Sequence, residues 1–199
     1  MNLPRRAFLA ALAAVVGAPA AAQQPIAAAE ARALVEGLIR DLSSVEQLTR
    51  PGPERDRALD SALGRYVALD RVGRFLLGAS RQQATPAELA EYDRLVPGFI
   101  LADVRGEIAK LVAQSIAIEE VQARSDREAL VRSRFRRRAG GSVRVDWRVQ
   151  RLADGSLRIV DVFVNGVSRF VIRRDEFQAV VRSGGMPALL ALLRKGPGA

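Results

Sequence analysis

Asp161 is the acidic side chain whose surroundings most favour chemistry. It interrupts an apolar run at residues 159–164, and a carboxyl group held among apolar side chains can act as a general base. A buried carboxylate more often accepts hydrogen bonds from neighbouring backbone or arginine donors, which would make its role structural. The sequence leaves both interpretations open.

Two residue types important for catalysis and metal binding are absent from the chain. The chain contains no histidine and no cysteine, which removes the commonest general base, the commonest metal ligand and all thiolate chemistry. The neighbouring carboxylates Glu119 and Glu120, and likewise Asp175 and Glu176, point apart on a strand or a helix, so they are poor acid–base partners. We therefore expect a protein that is not an enzyme and that has neither a metal site nor a cofactor.

Arginines form the one charged pattern with a defined geometry. The formal net charge is +9, and alternate arginines on one predicted strand, with two more on the next, would give a sheet one basic face. An aromatic content of 5% argues against nucleic acid as the partner. The face would meet membrane headgroups or an acidic docking partner, or would simply be solvated. The candidate docking and headgroup residues are Arg132, Arg134, Arg136, Arg144 and Arg148, and Arg138 extends the row.

Residues 1–22 have the features of an export signal. Arg5 and Arg6 precede a short apolar segment at residues 8–16, and alanines typical of a cleavage site follow it. The arginine pair also resembles the twin-arginine export motif. We predict a signal peptide at residues 1–22 and a single exported, soluble domain at residues 23–199.

Helical periodicity dominates the first half of the exported domain. A helix is predicted over residues 25–49, and a helical segment over residues 54–77 has a break near residues 68–70. Thr85 begins a capping box for a long helix, which Pro97 should kink. These helices have apolar stripes that would pack against another layer.

After the long helix the period of the apolar residues changes to two, which indicates strands. Asp154 and Gly155 form a hairpin turn between two β-rich runs. The second run, at residues 159–164, is apolar on both faces and is predicted to be a central strand. With two upstream strands it makes a curved antiparallel sheet of about four strands, so the fold class is α+β. Helices are predicted over residues 175–182 and again from Pro187.

The hairpin region has a recognisable sequence pattern. Residues 154–168 are DGSLRIVDVFVNGVS, followed by RRDEF at 173–177 and GGM at 184–186. This pattern resembles the C-terminal signature of the MlaC or toluene-tolerance family. FLLG at 75–78 and ATP at 84–86 are similar to upstream segments of the same family.

The resemblance implies a function. Members of that family are periplasmic lipid carriers with a nuclear-transport-factor-two-like cone, in which helices close over a curved sheet around an apolar pocket. They ferry phospholipids between an outer-membrane lipoprotein complex and an inner-membrane ABC transporter complex. For this chain the resemblance implies phospholipid as cargo, both complexes as partners and a periplasmic location. Exposing about thirty methylenes of two acyl tails costs about 25 kcal/mol, so a carrier must enclose them.

Apolar residues of the hairpin and of the covering helices are the candidate walls of such a pocket. Two alternatives remain: an enzyme of the same cone fold with Asp161 as its base, and a periplasmic adaptor that binds proteins through the arginine face and encloses nothing. The candidate lipid-binding residues are Phe75, Phe99, Ile100, Trp147, Val160, Val162, Phe163, Val164, Phe170 and Phe177.

Overall fold

The structure is a computed structural model that describes residues 25–48, 50–111, 113–137 and 140–197. The predicted signal peptide and Arg138 lie outside the described residues. In chain order the elements are α1 (Ala28–Leu48), α2 (Pro53–Gly64), α3 (Leu69–Leu77), a short 3₁₀ helix (Gly78–Gln82), α4 (Pro86–Leu111), β1 (Ala113–Ser125), β2 (Glu128–Arg137), β3 (Ser142–Arg151), β4 (Leu157–Val164), β5 (Val167–Ser168) and α5 (Arg169–Lys195).

The strands of the described residues form one open antiparallel sheet in the order β1-β2-β3-β4-β5. This confirms the α+β class and the meander, and β5 adds a short strand to the four that were expected. The β3–β4 hairpin turns at Gly155, whose φ is 82°. Glycine adopts this left-handed conformation without strain, which is why the Asp-Gly pair predicted the turn.

β4 is an interior strand, as expected, but it lies second from the edge and not in the middle of the sheet. β3 lies in the middle of the sheet, and only the two residues of β5 follow β4 at the edge. Backbone from the α2–α3 connection pairs with the same side of β4 at Ile159: the Ile159 N–H donates to the Tyr66 carbonyl (2.8 Å), and the Ala68 N–H donates to the Ile159 carbonyl (2.9 Å). The periodicity of β4 could not show this contact because its partners are remote in sequence.

Most helices agree with the predicted ones, and the C-terminal helix differs. α4 continues as one helix through Pro97. α5 begins at Arg169 and joins both predicted C-terminal helices across a non-helical Gly185 (φ 68°). The earlier start follows from an N-cap, because the Ser168 hydroxyl accepts a hydrogen bond from the Val171 N–H (3.0 Å).

One hydrophobic core joins the helices to the inner face of the sheet. Tyr92 and Phe99 of α4 pack there with Phe177 of α5, and the rings of Phe99 and Phe177 are 5.3 Å apart. The apolar face predicted for β3 is confirmed by its buried residues Val143, Val145, Trp147 and Val149, but Asp146 on the opposite face is buried as well. Within the described part of the chain, no helix combines the length and apolar character that crossing a bilayer requires.

Candidate binding site

A cavity of about 810 Å³ lies between α1, α2 and α4 on one side and the first three strands on the other. Its volume is within the range of about 300–1,000 Å³ that is typical of ligand sites. The apolar stripes of the helices face the sheet across it, so most of its wall is hydrocarbon. The apolar side chains that line it are Ile39, Leu42, Leu59, Leu63, Ala102, Ile108, Ala109, Ile116, Phe135 and Trp147.

Trp147 is the largest side chain of the wall, and its position is well defined. It is 2% exposed, and its indole Nε1–H donates to the Ser133 hydroxyl (2.9 Å), which in turn donates to the Val145 carbonyl (2.7 Å). The Phe135 ring lies 6.4 Å from the Trp147 ring. This chain of hydrogen bonds satisfies the buried indole N–H and leaves the apolar ring to face the cavity.

Charged side chains line the cavity where the end of α1 meets the start of α2. Arg55 donates to Glu46 across the two helices (3.0 Å). Arg105 of α4 donates to Asp60 of α2 (3.0 Å) and also lies 3.8 Å from Asp56. We call these residues the rim. Burial raises the pKa of the Asp60 carboxyl, and the neighbouring Arg105 opposes that shift. No local sequence pattern indicates the rim because its ion pairs join residues on different helices.

A second hollow of about 20 Å³, enough for roughly one water molecule, lies beside the cavity. Trp147 and Ile108 line both spaces and therefore separate them. Arg169 of α5 and Glu107 of α4 also line the hollow, and they form an ion pair at 2.9 Å. The aliphatic residues that line the hollow are Val104, Ile108, Val145, Val162 and Val164.

The structure brings only some of the candidate lipid-binding residues to these spaces. Trp147 lines the cavity, and Val162 and Val164 line the small hollow. Phe75 is exposed and lies beneath the Arg174 guanidinium, which is 5.0 Å from its ring. The remaining candidates do not line the cavity; Phe99, Ile100, Phe170 and Phe177 are buried in the core, and Val160 and Phe163 are half-buried on β4.

Comparison with known proteins identifies a family and a protein of similar fold. The family model described as MlaC protein matches residues 32–195. The chain belongs to the MlaC family. Its fold is similar to that of a phospholipid-binding protein from Ralstonia solanacearum, solved in complex with a phospholipid, with a TM-score of 0.66 and 20% identity over 83% of this chain and 95% of that one. No curated protein sequence matches the chain.

In this MlaC family member the arginine face is largely neutralised by acids. None of the candidate docking arginines lines the cavity, and the pKa of Glu119 is lowered by its hydrogen bond with Arg134. Arg136 is exposed and makes no ion pair within 4 Å among the described residues, although its charge also helps to lower the pKa of Glu119. The ion pairs of the face are Arg132 with Glu120 (2.6 Å), Arg134 with Glu119 (2.5 Å), Arg144 with Asp146 (3.2 Å) and Arg148 with Glu128 (2.8 Å).

Asp161 lies away from the cavity, at the corner where β4, β5 and α5 meet. Its carboxylate accepts hydrogen bonds from the Val162 N–H (2.8 Å), the Ser168 hydroxyl (2.6 Å) and the Phe170 N–H (3.4 Å). Burial raises the pKa of Asp161, and these hydrogen bonds oppose the shift. The carboxylate orients the residue that caps α5, which is a structural role. No cluster of potential metal ligands occurs among the residues that the structure describes.

Proposed function

We propose that this protein is a periplasmic phospholipid carrier and not an enzyme. The observation that carries the proposal is the cavity of about 810 Å³, whose wall is mostly aliphatic and aromatic and whose charged groups are confined to the rim. Membership of the MlaC family and the fold shared with a protein solved with a bound phospholipid support it. The acyl tails occupy the apolar part of the cavity, and the headgroup lies at the rim, because charged groups are costly to bury unpaired.

The proposal includes export by the segment at residues 1–22 and transfer of lipid between an outer-membrane lipoprotein complex and an inner-membrane ABC transporter complex. Phospholipid is the cargo, and no cofactor takes part. The exposed arginine face, defined by Arg132, Arg134, Arg136, Arg144 and Arg148, is the proposed docking surface. Opposite charge on a partner would steer encounter without strengthening the contact greatly.

The chain's single tryptophan provides a direct test. Phospholipids with brominated acyl chains should quench most of the emission of Trp147, because the ring lines the space where the tails would lie. A matched control carries Trp147→Phe and Phe75→Trp. Phe75 is exposed and away from the cavity, so the relocated tryptophan should be quenched little.

Mass spectrometry of protein purified without detergent or denaturant provides the second measurement. Co-purified phospholipid is the expected result. A protein that contains no lipid and shows no quenching of Trp147 when mixed with brominated vesicles would overturn the proposed function. Equal quenching of the native protein and the control would show that lipid adsorbs on the surface and does not enter the cavity.

A further inference from the structure

The rim has both signs of charge in direct contact. Two arginines, Arg55 and Arg105, line the cavity together with the carboxylates Glu46 and Asp56, and Asp60, which does not line it, accepts a hydrogen bond from Arg105. Two cations therefore meet three anions in the described part of the rim. An ion pair that spans two helices can tie them together, but it also offers a ready-made partner for each half of a ligand that has both charges.

We propose that the rim selects phospholipids whose headgroup is zwitterionic, with a phosphate and an ammonium group, over lipids whose headgroup is only anionic. This inference rests on the proposed function as a phospholipid carrier. It adds the class of headgroup, which neither the family nor the fold specifies.

The selectivity follows from exchange of partners. The lipid phosphate replaces a carboxylate on Arg55 or Arg105, since a guanidinium binds phosphate through two parallel N–H···O bonds. The displaced carboxylate, Glu46 or Asp60, then needs a cation. A zwitterionic headgroup supplies one from its own ammonium, so the exchange leaves no additional charge unpaired.

An anionic headgroup such as phosphatidylglycerol provides no such cation. Binding through Arg105 would then leave Asp60 without its partner, although its side chain is only 29% exposed. A part-buried carboxylate that loses its hydrogen bond is expensive, so we expect a preference of about tenfold for the zwitterionic lipid. The third carboxylate, Asp56, would repel an anionic headgroup and so adds to the preference for the zwitterionic lipid.

Competitive loading tests the proposal. The purified protein is incubated with vesicles that contain equal amounts of phosphatidylethanolamine and phosphatidylglycerol with identical acyl chains, and the bound lipids are quantified by mass spectrometry after the vesicles are removed. Enrichment of phosphatidylethanolamine by about tenfold is expected for the native protein.

Two rim variants and one control complete the experiment. Asp60→Asn and Glu46→Gln remove a displaced negative charge while keeping the side-chain shape, so each should bring the ratio of bound lipids towards one. Glu119→Gln removes a carboxylate paired with Arg134 on the sheet face, away from the cavity, and should leave the native ratio unchanged.

The outcomes separate this inference from the proposed function. Loading of both lipids without preference, or a preference that both rim variants retain, would overturn the selectivity and show that the ion pairs only tie the helices together. The carrier function would stand in that case. Failure to load either lipid would overturn both.

Discussion

At the residue scale, Asp161 shows how a side chain suited to chemistry can serve structure. The sequence left a catalytic base and a structural acceptor open. In the fold its oxygens accept from the Val162 N–H, the Ser168 hydroxyl and the Phe170 N–H. The Ser168 hydroxyl in turn caps α5, so the carboxylate connects the end of the sheet to the start of the last helix.

Substitution of Asp161 should separate its hydrogen bonds from its charge. Asp161→Ala should lower the free energy of unfolding by about 2–4 kcal/mol, because two backbone N–H groups and a hydroxyl lose their acceptor. Asp161→Asn keeps an acceptor oxygen and should cost about 1 kcal/mol or less. Urea unfolding followed by circular dichroism measures both changes, and an alanine variant as stable as the native protein would contradict the structural role.

The difference in stability between the native protein and Asp161→Asn should change with pH in a defined direction. Burial raises the folded-state pKa of Asp161 above its unfolded value, so its contribution to stability is fully present below about pH 4 and decreases as the pH rises through the folded-state pKa. Asparagine has no such dependence. The stability of Asp161→Asn relative to the native protein should therefore increase from pH 4 to pH 7, and a difference that stays constant with pH would contradict the assigned shift.

At the element scale, α4 forms one wall of the cavity and contains two glycines that face open space. A Cβ added to Gly98 or to Gly106 would meet no atom within 4 Å. Gly106 lines the cavity, whereas Gly98 does not. Both are helical residues, so both weaken α4, and a helix that encloses a ligand volume has reason to keep the position beside that volume small.

Gly106→Leu should therefore stabilise the protein and impair its loading. Replacing a helical glycine by a good helix former adds about 0.5–1 kcal/mol to the free energy of unfolding, while the new side chain occupies space proposed to hold an acyl tail. Gly98→Leu is the matched control, with the same gain in stability and unchanged lipid content. Thermal unfolding and lipid mass spectrometry measure the two effects, and equal lipid content in both variants would show that the tails do not reach α4.

At the scale of the whole molecule, a formal net charge of +9 hides extensive pairing. Four arginines of the sheet face lie within ion-pair distance of Glu120, Glu119, Asp146 and Glu128. The pairs with Glu119 and Glu120 are exposed and contribute little stability, about 0–1 kcal/mol each, whereas Asp146 is buried and depends on its arginine partner. These pairs reduce the positive electrostatic potential of the arginine face. Arg136, which has no ion pair within 4 Å among the described residues, therefore contributes much of the positive charge that a docking partner would contact.

Arg136→Glu should leave lipid binding intact and slow the transfer of lipid to the proposed partner complexes. Opposite charge mainly accelerates encounter, so the charge reversal should slow docking by about tenfold at low ionic strength and by less at high ionic strength. Arg71→Glu, an exposed arginine on α3, is the control and should transfer at the native rate. Transfer of labelled lipid to reconstituted complexes measures the effect; equal slowing in both variants would indicate a general charge effect and not a docking site.

Local patterns in the sequence determined the strand order along the chain, the Asp-Gly hairpin, the capping box at Thr85 and the α+β class, because turns, caps and periodicity depend on residues close together in the chain. The motif around the hairpin was sufficient to indicate the family. These features needed no knowledge of long-range contacts.

The tertiary structure alone decided where the cavity lies. Phe99, Phe177 and Trp147 have the same apolar character in the sequence, yet the first two pack against each other in the core and only Trp147 lines the cavity. The rim likewise depends on Arg105 of α4 meeting Asp60 of α2. Core and cavity wall use the same residue types, and what separates them is which distant segments meet, a property that no local pattern records.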